Sequence, residues 1–218
     1  MNILISGANR GIGLALLEAY QVAGHSVTGT RRDTNEAAGW LTMDLMAPDA
    51  ARRAAKAYGA KPLDLLVCNA GVYLEGGDAD IDADYPAQFW AECLAVNVTG
   101  LFLTVQAFLP ALRRAASPKI AVISSRMGSS GRAPGGSYIY RASKAAATNL
   151  GRNLAADLRA EGIAVGIYHP GWVRTDMGGA GADIDMQTSA SGLMSRFDAL
   201  SLETSGCFED YAGSAIPF

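Results

Sequence analysis

Residues 2–13 read NILISGANRGIG. A short apolar run, NILIS, breaks into a glycine-rich turn that opens at once onto a helical stretch, 11–23. Strand, turn and helix in that order are the opening of a βαβ unit. Gly7 permits the sharp turn. Gly11 and Gly13 lack side chains where a backbone would approach a pyrophosphate and where helix packs on strand. The helix N-terminus adds free N–H groups and a partial positive charge. The spacing is Gly-x-x-x-Gly-x-Gly, not the commoner Gly-x-Gly-x-x-Gly, and the strand before and helix after separate it from an ordinary turn. Asn9, Arg10 and Ile12 lie among these glycines and are expected at the nucleotide with them.

The same alternation continues down the chain. Strands are predicted over 2–6, 26–30, 39–45, 63–71, 119–125 and 163–171, with an edge strand over 207–213. Helices are predicted over 11–23, 48–58, 86–116 and 143–160, the third interrupted or ended near Pro110 and the fourth closed by Gly162. Strands 1, 4, 5 and 6 are near-continuous apolar runs, as expected where helices cover both faces of a parallel sheet. The predicted fold is α/β, a doubly wound, Rossmann-like parallel sheet. Neither glycine-rich stretch, 128–137 or 178–185, is long enough for an interdomain linker, so 1–218 is read as one domain.

The bulk numbers narrow the function. A chain of 218 residues, half apolar and 18% charged, suits one soluble domain with a sizeable core. Lys+Arg 18 against Asp+Glu 21 leaves a net charge of −3, which argues for neither nucleic acid nor an anionic membrane as partner. The start lacks a basic n-region and a long apolar h-region, so no signal peptide is expected. The apolar window 96–112 is broken by Asn97, Thr99, Thr104, Gln106 and Pro110 and reads as a buried helix, not a membrane span. Cys68, Cys93 and Cys207 are far apart, without metal-ligand spacing, and read as reduced thiols of a cytoplasmic protein. His25 and His169 have no partners at metal spacing; His169 precedes a Pro-Gly turn and is assigned a structural role, with Trp172 as apolar lining.

The second strand ends at Arg31, in RRD (31–33), the position that faces an adenosine ribose in such folds. A guanidinium fork suits a 2′-phosphate, and Arg10 adds positive charge on that side, which favours NADP(H). The alternatives are two arginines on a solvated loop, or Asp33 on the ribose of NAD(H). Asp44, with Leu45 beside it, is a candidate for the adenine end or, equally, a cap of the next segment.

Residues 137–144 read SYIYRASK. Tyr140 and Lys144 are four apart and share a helix face one turn apart. A phenol has a pKa near 10, and a neighbouring ammonium with an oxidised nicotinamide would bring it toward neutrality. That makes Tyr140 a candidate proton donor and acceptor, with Lys144 its activator. Tyr138 has Ala142 at i+4, so it is assigned to the wall of a substrate pocket.

YRASK, SGANRGIG, NAG (69–71), NVTG (97–100), ISS (123–125) and PGWVRTDM (170–177), in that order, resemble the short-chain dehydrogenase/reductase family. ISSRMGS and the terminal GSAIPF look like its carbonyl-reductase branch, with sniffer-type and C-factor-like members. The resemblance implies NADPH-dependent reduction of an aldehyde or ketone, reversibly, or else an NAD-dependent alcohol dehydrogenase or an NADP(H)-binding signalling protein with little turnover. It implies Tyr140 as acid/base, Lys144 as activator and ribose ligand, and Asn97 as holder of a relay water. Ser125, which ends the fifth strand, would polarise the carbonyl, while Ser124 points to the other face; Ser129 and Ser130 would be structural. Asn69, Ala70 and Gly71 would lie on the adenosine side; Pro170, Gly171, Val173 and Thr175 would meet the nicotinamide end. Substrate-binding segments are expected near 72–87, 126–139 and 177–186, and a homodimer or homotetramer through the helices 86–116 and 143–160. No metal site is expected.

Overall fold

The computed structural model describes residues 1–33, 38–75 and 81–218; part of the expected segment 72–87 lies outside them. Seven strands form one parallel sheet: β1 (Asn2–Ile5), β2 (Ser26–Arg31), β3 (Trp40–Thr42), β4 (Leu65–Cys68), β5 (Lys119–Ile123), β6 (Ala164–His169) and β7 (Phe208–Asp210). Their order is β3-β2-β1-β4-β5-β6-β7. The chain winds outward from β1 in one direction and then restarts beside β1 with β4, where Ile3 pairs with Leu65. The loops after β1 and β4 therefore diverge at the sheet's C-terminal edge and leave a crevice there, where open α/β sheets bind ligands.

The pleat divides the core in two. Leu4, Leu66, Ile120, Val122, Val165 and Ile167 face α2 (Ala50–Tyr58), α4 (Leu101–Leu112) and α5 (Tyr138–Leu158). Their neighbours Ile3, Ile5, Leu65, Val67, Ala121 and Tyr168 face α1 (Gly11–Val22) and α6 (Met186–Ala199). Successive strand residues thus bury themselves in opposite layers, which is why these strands carry no polar alternation.

Three elements differ from the sequence reading. The run from α3 (Ala87–Leu94) to α4 ends at Leu112, two residues after Pro110, so of the two expectations it ends near the proline and is not interrupted by it. Its irregularity is a π-helical turn, Ala95–Gly100, centred on Asn97. By length and a mean hydropathy of 1.6, residues 87–112 would suffice to span a membrane, yet Leu101, Val105, Phe108 and Leu112 pack into the core. Second, α5 begins at Tyr138, five residues before its predicted start. Third, α6 was not foreseen. Asp185 caps it, its carboxylate accepting from Thr188 N at 2.7 Å, and it buries Ala190, Leu193 and Phe197.

Candidate active site

The glycine loop is a backbone cradle held from behind. A Cβ on Gly13 would lie 2.4 Å from the Gly7 carbonyl oxygen and 2.5 Å from Asn69 Nδ2, so only glycine lets α1 start so close to β1 and β4. Gly7 itself has φ +63°, a left-handed conformation that a side chain would strain. Asn69 Nδ2 donates to the Ser6 and Gly7 carbonyls at 3.0 Å each. Ser6 Oγ accepts from Asn69 N and Ala70 N at 2.9 and 3.0 Å, and Thr30 Oγ1 accepts from Gly7 N at 3.1 Å. Asn69, Ala70 and Gly7 therefore belong to one stitched unit. Ser6 and Thr30, both buried, are positioning residues the sequence reading missed; the only hint was a hydroxyl at each strand end.

At the far side of the cradle, Arg31 ends β2 as expected. Its Nε donates to Asp33 Oδ1 at 2.9 Å, Nη2 also bonds Asp33, and the guanidinium lies 5.6 Å from the Trp40 ring centre. That bond holds the exposed Asp33 carboxyl down at about 2. The two groups the sequence set against each other are thus partners in one pair. Arg10 pairs instead with Asp176 at 3.1 Å, and the pair is exposed. Asp44 Oδ1 accepts from Met46 N at 3.0 Å, closing a turn ahead of α2, whose N-cap position is Asp49, while Leu45 packs against Gly100. Asn9 is exposed, and Ile12 is half-buried at the start of α1.

The segment after β6 closes over the loop. Thr175 lies against Gly11, its Oγ1 accepting from Gly178 N at 3.1 Å. Val173 is buried and bridges Ile184; Gly171 has φ +91°, where a Cβ would collide with Ile184. Ser189 Oγ on α6 donates to the Pro170 carbonyl at 2.6 Å, so the unforeseen helix fixes the expected nicotinamide segment.

Ser125, Tyr140 and Lys144 meet where β5 ends against the first turns of α5. The Ser125 hydroxyl is near enough to the Tyr140 phenol to act on its ionisation, and its Oγ accepts from Met127 N at 3.1 Å. Ser124 does face the other way, bonding the Lys144 carbonyl and Thr148. Lys144 Nζ donates to the Ile123 carbonyl at 3.0 Å and lies 5.6 Å from the Tyr140 ring centre. Asn97 clamps the strand end: its Oδ1 accepts from Val72 N at 2.8 Å, and its Nδ2 donates to Val72 O at 2.9 Å and Ser143 Oγ at 3.0 Å. Asn97 Oδ1 and Lys144 Nζ converge on Gly71, where a Cβ would lie 3.2 and 3.4 Å from them. Tyr138 stacks edge-on against Tyr85, joining two of the expected substrate segments.

The chain's own groups supply only part of the electrostatics expected at the phenol. Burial pushes the Tyr140 phenol up, with Cys93, Tyr73 and Glu75 adding to it and the Ser125 hydroxyl opposing. Burial also pulls the Lys144 ammonium down to about 8. The chain's own groups thus hold the phenol protonated, and lowering it needs a positive charge from outside the chain. Glu75 was not foreseen. Its Oε1 accepts from Tyr140 N at 2.6 Å, capping α5 in place of Ser137, which sits at φ +47° with its hydroxyl bonded to Tyr73.

Known proteins resemble this chain in both sequence and structure. A sequence model of the short chain dehydrogenase family matches residues 1–183. The C-signal protein of Myxococcus xanthus is 40% identical over 161 residues, 72% of this chain and 93% of that protein. Among solved structures, NADPH-bound carbonyl reductase from chicken fatty liver superposes with a TM-score of 0.90 at 29% identity, covering 100% of this chain and 98% of that one. The carbonyl reductase Sniffer of D. melanogaster gives 0.91 at 29% identity, covering 100% and 99%.

Proposed function

Since the chain belongs to the short chain dehydrogenase family, we propose that it is an NADPH-dependent oxidoreductase that reduces an aldehyde or ketone to an alcohol, reversibly. The observation that carries this reading is the convergence of Ser125 at the end of β5, Tyr140 and Lys144, the lysine Nζ 5.6 Å from the Tyr140 ring centre, next to a glycine cradle that only backbone can line. Gly7, Gly11 and Gly13 would take the pyrophosphate and Arg31 the 2′-phosphate, exchanging Asp33 for it. Bound there, NADPH supplies the hydride.

The chain's own residues do the rest. Ser125 and Tyr140 donate hydrogen bonds to the carbonyl oxygen as negative charge develops on it. The high phenol pKa suits reduction, because Tyr140 must start protonated to give its proton. Lys144 then faces the phenolate with its ammonium, and a water held near Asn97 returns the proton. The NADPH in the chicken reductase structure supports the choice of cofactor. The test is loss of NADPH absorbance over a panel of aldehydes and ketones, with NADH as comparison. NADPH should be preferred, and Arg31→Asp should move the preference toward NADH by about tenfold or more; an unmoved preference would remove Arg31 from the assignment.

A second reading, a signalling protein with little turnover, is favoured by the C-signal relative alone. NADPH binding without turnover of any carbonyl in the panel would establish it. A cytoplasmic location belongs to the main proposal, supported by three free thiols. So does self-association as a homodimer or homotetramer, supported by Leu94, Phe102 and Leu103, which leave an apolar strip of the α3–α4 run in solvent.

A further inference from the structure

Beyond the C-terminal ends of β5, β6 and β7 lies a cavity of about 230 Å³ that the chemistry above leaves unused. It has room for about eight water-sized groups. Arg126 and Arg132 line it from the loop before α5, His169 from the end of β6, Gly171 from the turn beyond, Asp210 from β7 beside His169, and Asp183 from the loop before α6. Arg126 directly follows Ser125, and Gly171 directly follows Pro170, so the cavity adjoins the place where a reacting carbonyl would sit.

Its two arginines are exposed and hold no side-chain partner, and its histidine is buried. The other arginines, Arg32 excepted, hold a carboxylate, a carbonyl or an aromatic ring, but neither Arg126 nor Arg132 makes a side-chain bond to any described residue. They stay unpaired although two carboxylates share the cavity. Asp210 is otherwise engaged, its Oδ1 accepting from the backbone N–H groups of Ala212 and Ser214. His169 is 7% exposed and its Nδ1 is buried without a partner. A buried polar atom left unbonded costs free energy unless a ligand satisfies it.

We propose that this cavity binds a carboxylate on the substrate, so that the protein reduces oxo acids in preference to the corresponding neutral esters. A guanidinium matches a carboxylate in geometry and charge, and the cavity offers two arginines without a side-chain partner beside a buried, unbonded His169 Nδ1. Asp183 and Asp210 limit the total charge the cavity accepts, which selects a monoanion over a phosphate dianion. The proposal rests on the reductase reading above and names the substrate class for that site.

The whole chain with NADPH is assayed on 4-carboxybenzaldehyde and on its methyl ester, and the protein without cofactor is titrated with benzoate and with inorganic phosphate. The acid should show a kcat/KM about tenfold or more above the ester, mainly through KM, and R126Q and R132Q should each cut that ratio about tenfold. Benzoate should bind and should weaken in both variants, whose folding circular dichroism checks. An acid-to-ester ratio near one, a ratio that neither variant moves, or phosphate bound more tightly than benzoate overturns the proposal. If neither aldehyde turns over while benzoate still binds through the arginines, the carboxylate site stands and the reductase reading falls. Equal turnover of acid and ester without benzoate binding does the reverse.

Discussion

His169 shows at the scale of one residue how position decides chemistry. Burial, helped by the nearby Arg126 charge and opposed by Asp210, pulls its imidazole down to about 4. Between pH 4 and its ordinary 6.5 the unfolded chain binds a proton that the folded chain refuses, so stability rises with pH across that window. The effect amounts to as much as about 3 kcal/mol. His169→Phe should flatten the pH dependence of the urea midpoint between pH 4 and 6.5; an unchanged slope would show that His169 does not titrate as its burial implies. The sequence marked this residue as structural from the Pro-Gly turn after it, but the turn says nothing of the arginines that the fold brings beside it. Tyr140 and Lys144 were legible for the opposite reason: their relation is local, one helical turn, and needs no tertiary contact.

Elements were legible where their pattern is self-contained. The apolar strands and the glycine turn fix the parallel sheet because each reports its own burial. The start of α5 was not, because its cap comes from Glu75, 65 residues upstream. No local Ser, Thr, Asp or Asn side chain closes that terminus, and Ser137 is held left-handed. Glu75→Ala should therefore fray the turn that carries Tyr140. Stability should fall by roughly 0.5–2 kcal/mol, read as a lower urea midpoint together with faster amide exchange at residues 138–141; unchanged exchange there would mean the helix start is held by something else. The helix α6 failed differently. Its Asp185 cap and its buried positions 190, 193 and 197 are in the sequence, but serine, glycine and threonine between them dilute the periodicity.

For the whole molecule, the crevice between the β1 and β4 loops gathers the cradle, the β6 segment and the first turns of α5 at one edge of the sheet. The opposite economy is visible on the surface, where Phe102 and Leu103 each remain 40% exposed on α4. If that strip joins two copies, light scattering at micromolar concentration gives at least a dimer, and the double change Phe102→Glu with Leu103→Glu gives a monomer of unchanged fold; a wild-type monomer would leave the strip without this role. The central claim is that Tyr140 gives the proton. It is tested most directly by Tyr140→Phe, measured for NADPH affinity and for carbonyl turnover on the same preparation. The account predicts NADPH affinity within about twofold of wild type and a kcat lower by a factor of about 10²–10⁴. Turnover close to wild type in a folded, NADPH-binding variant would contradict it.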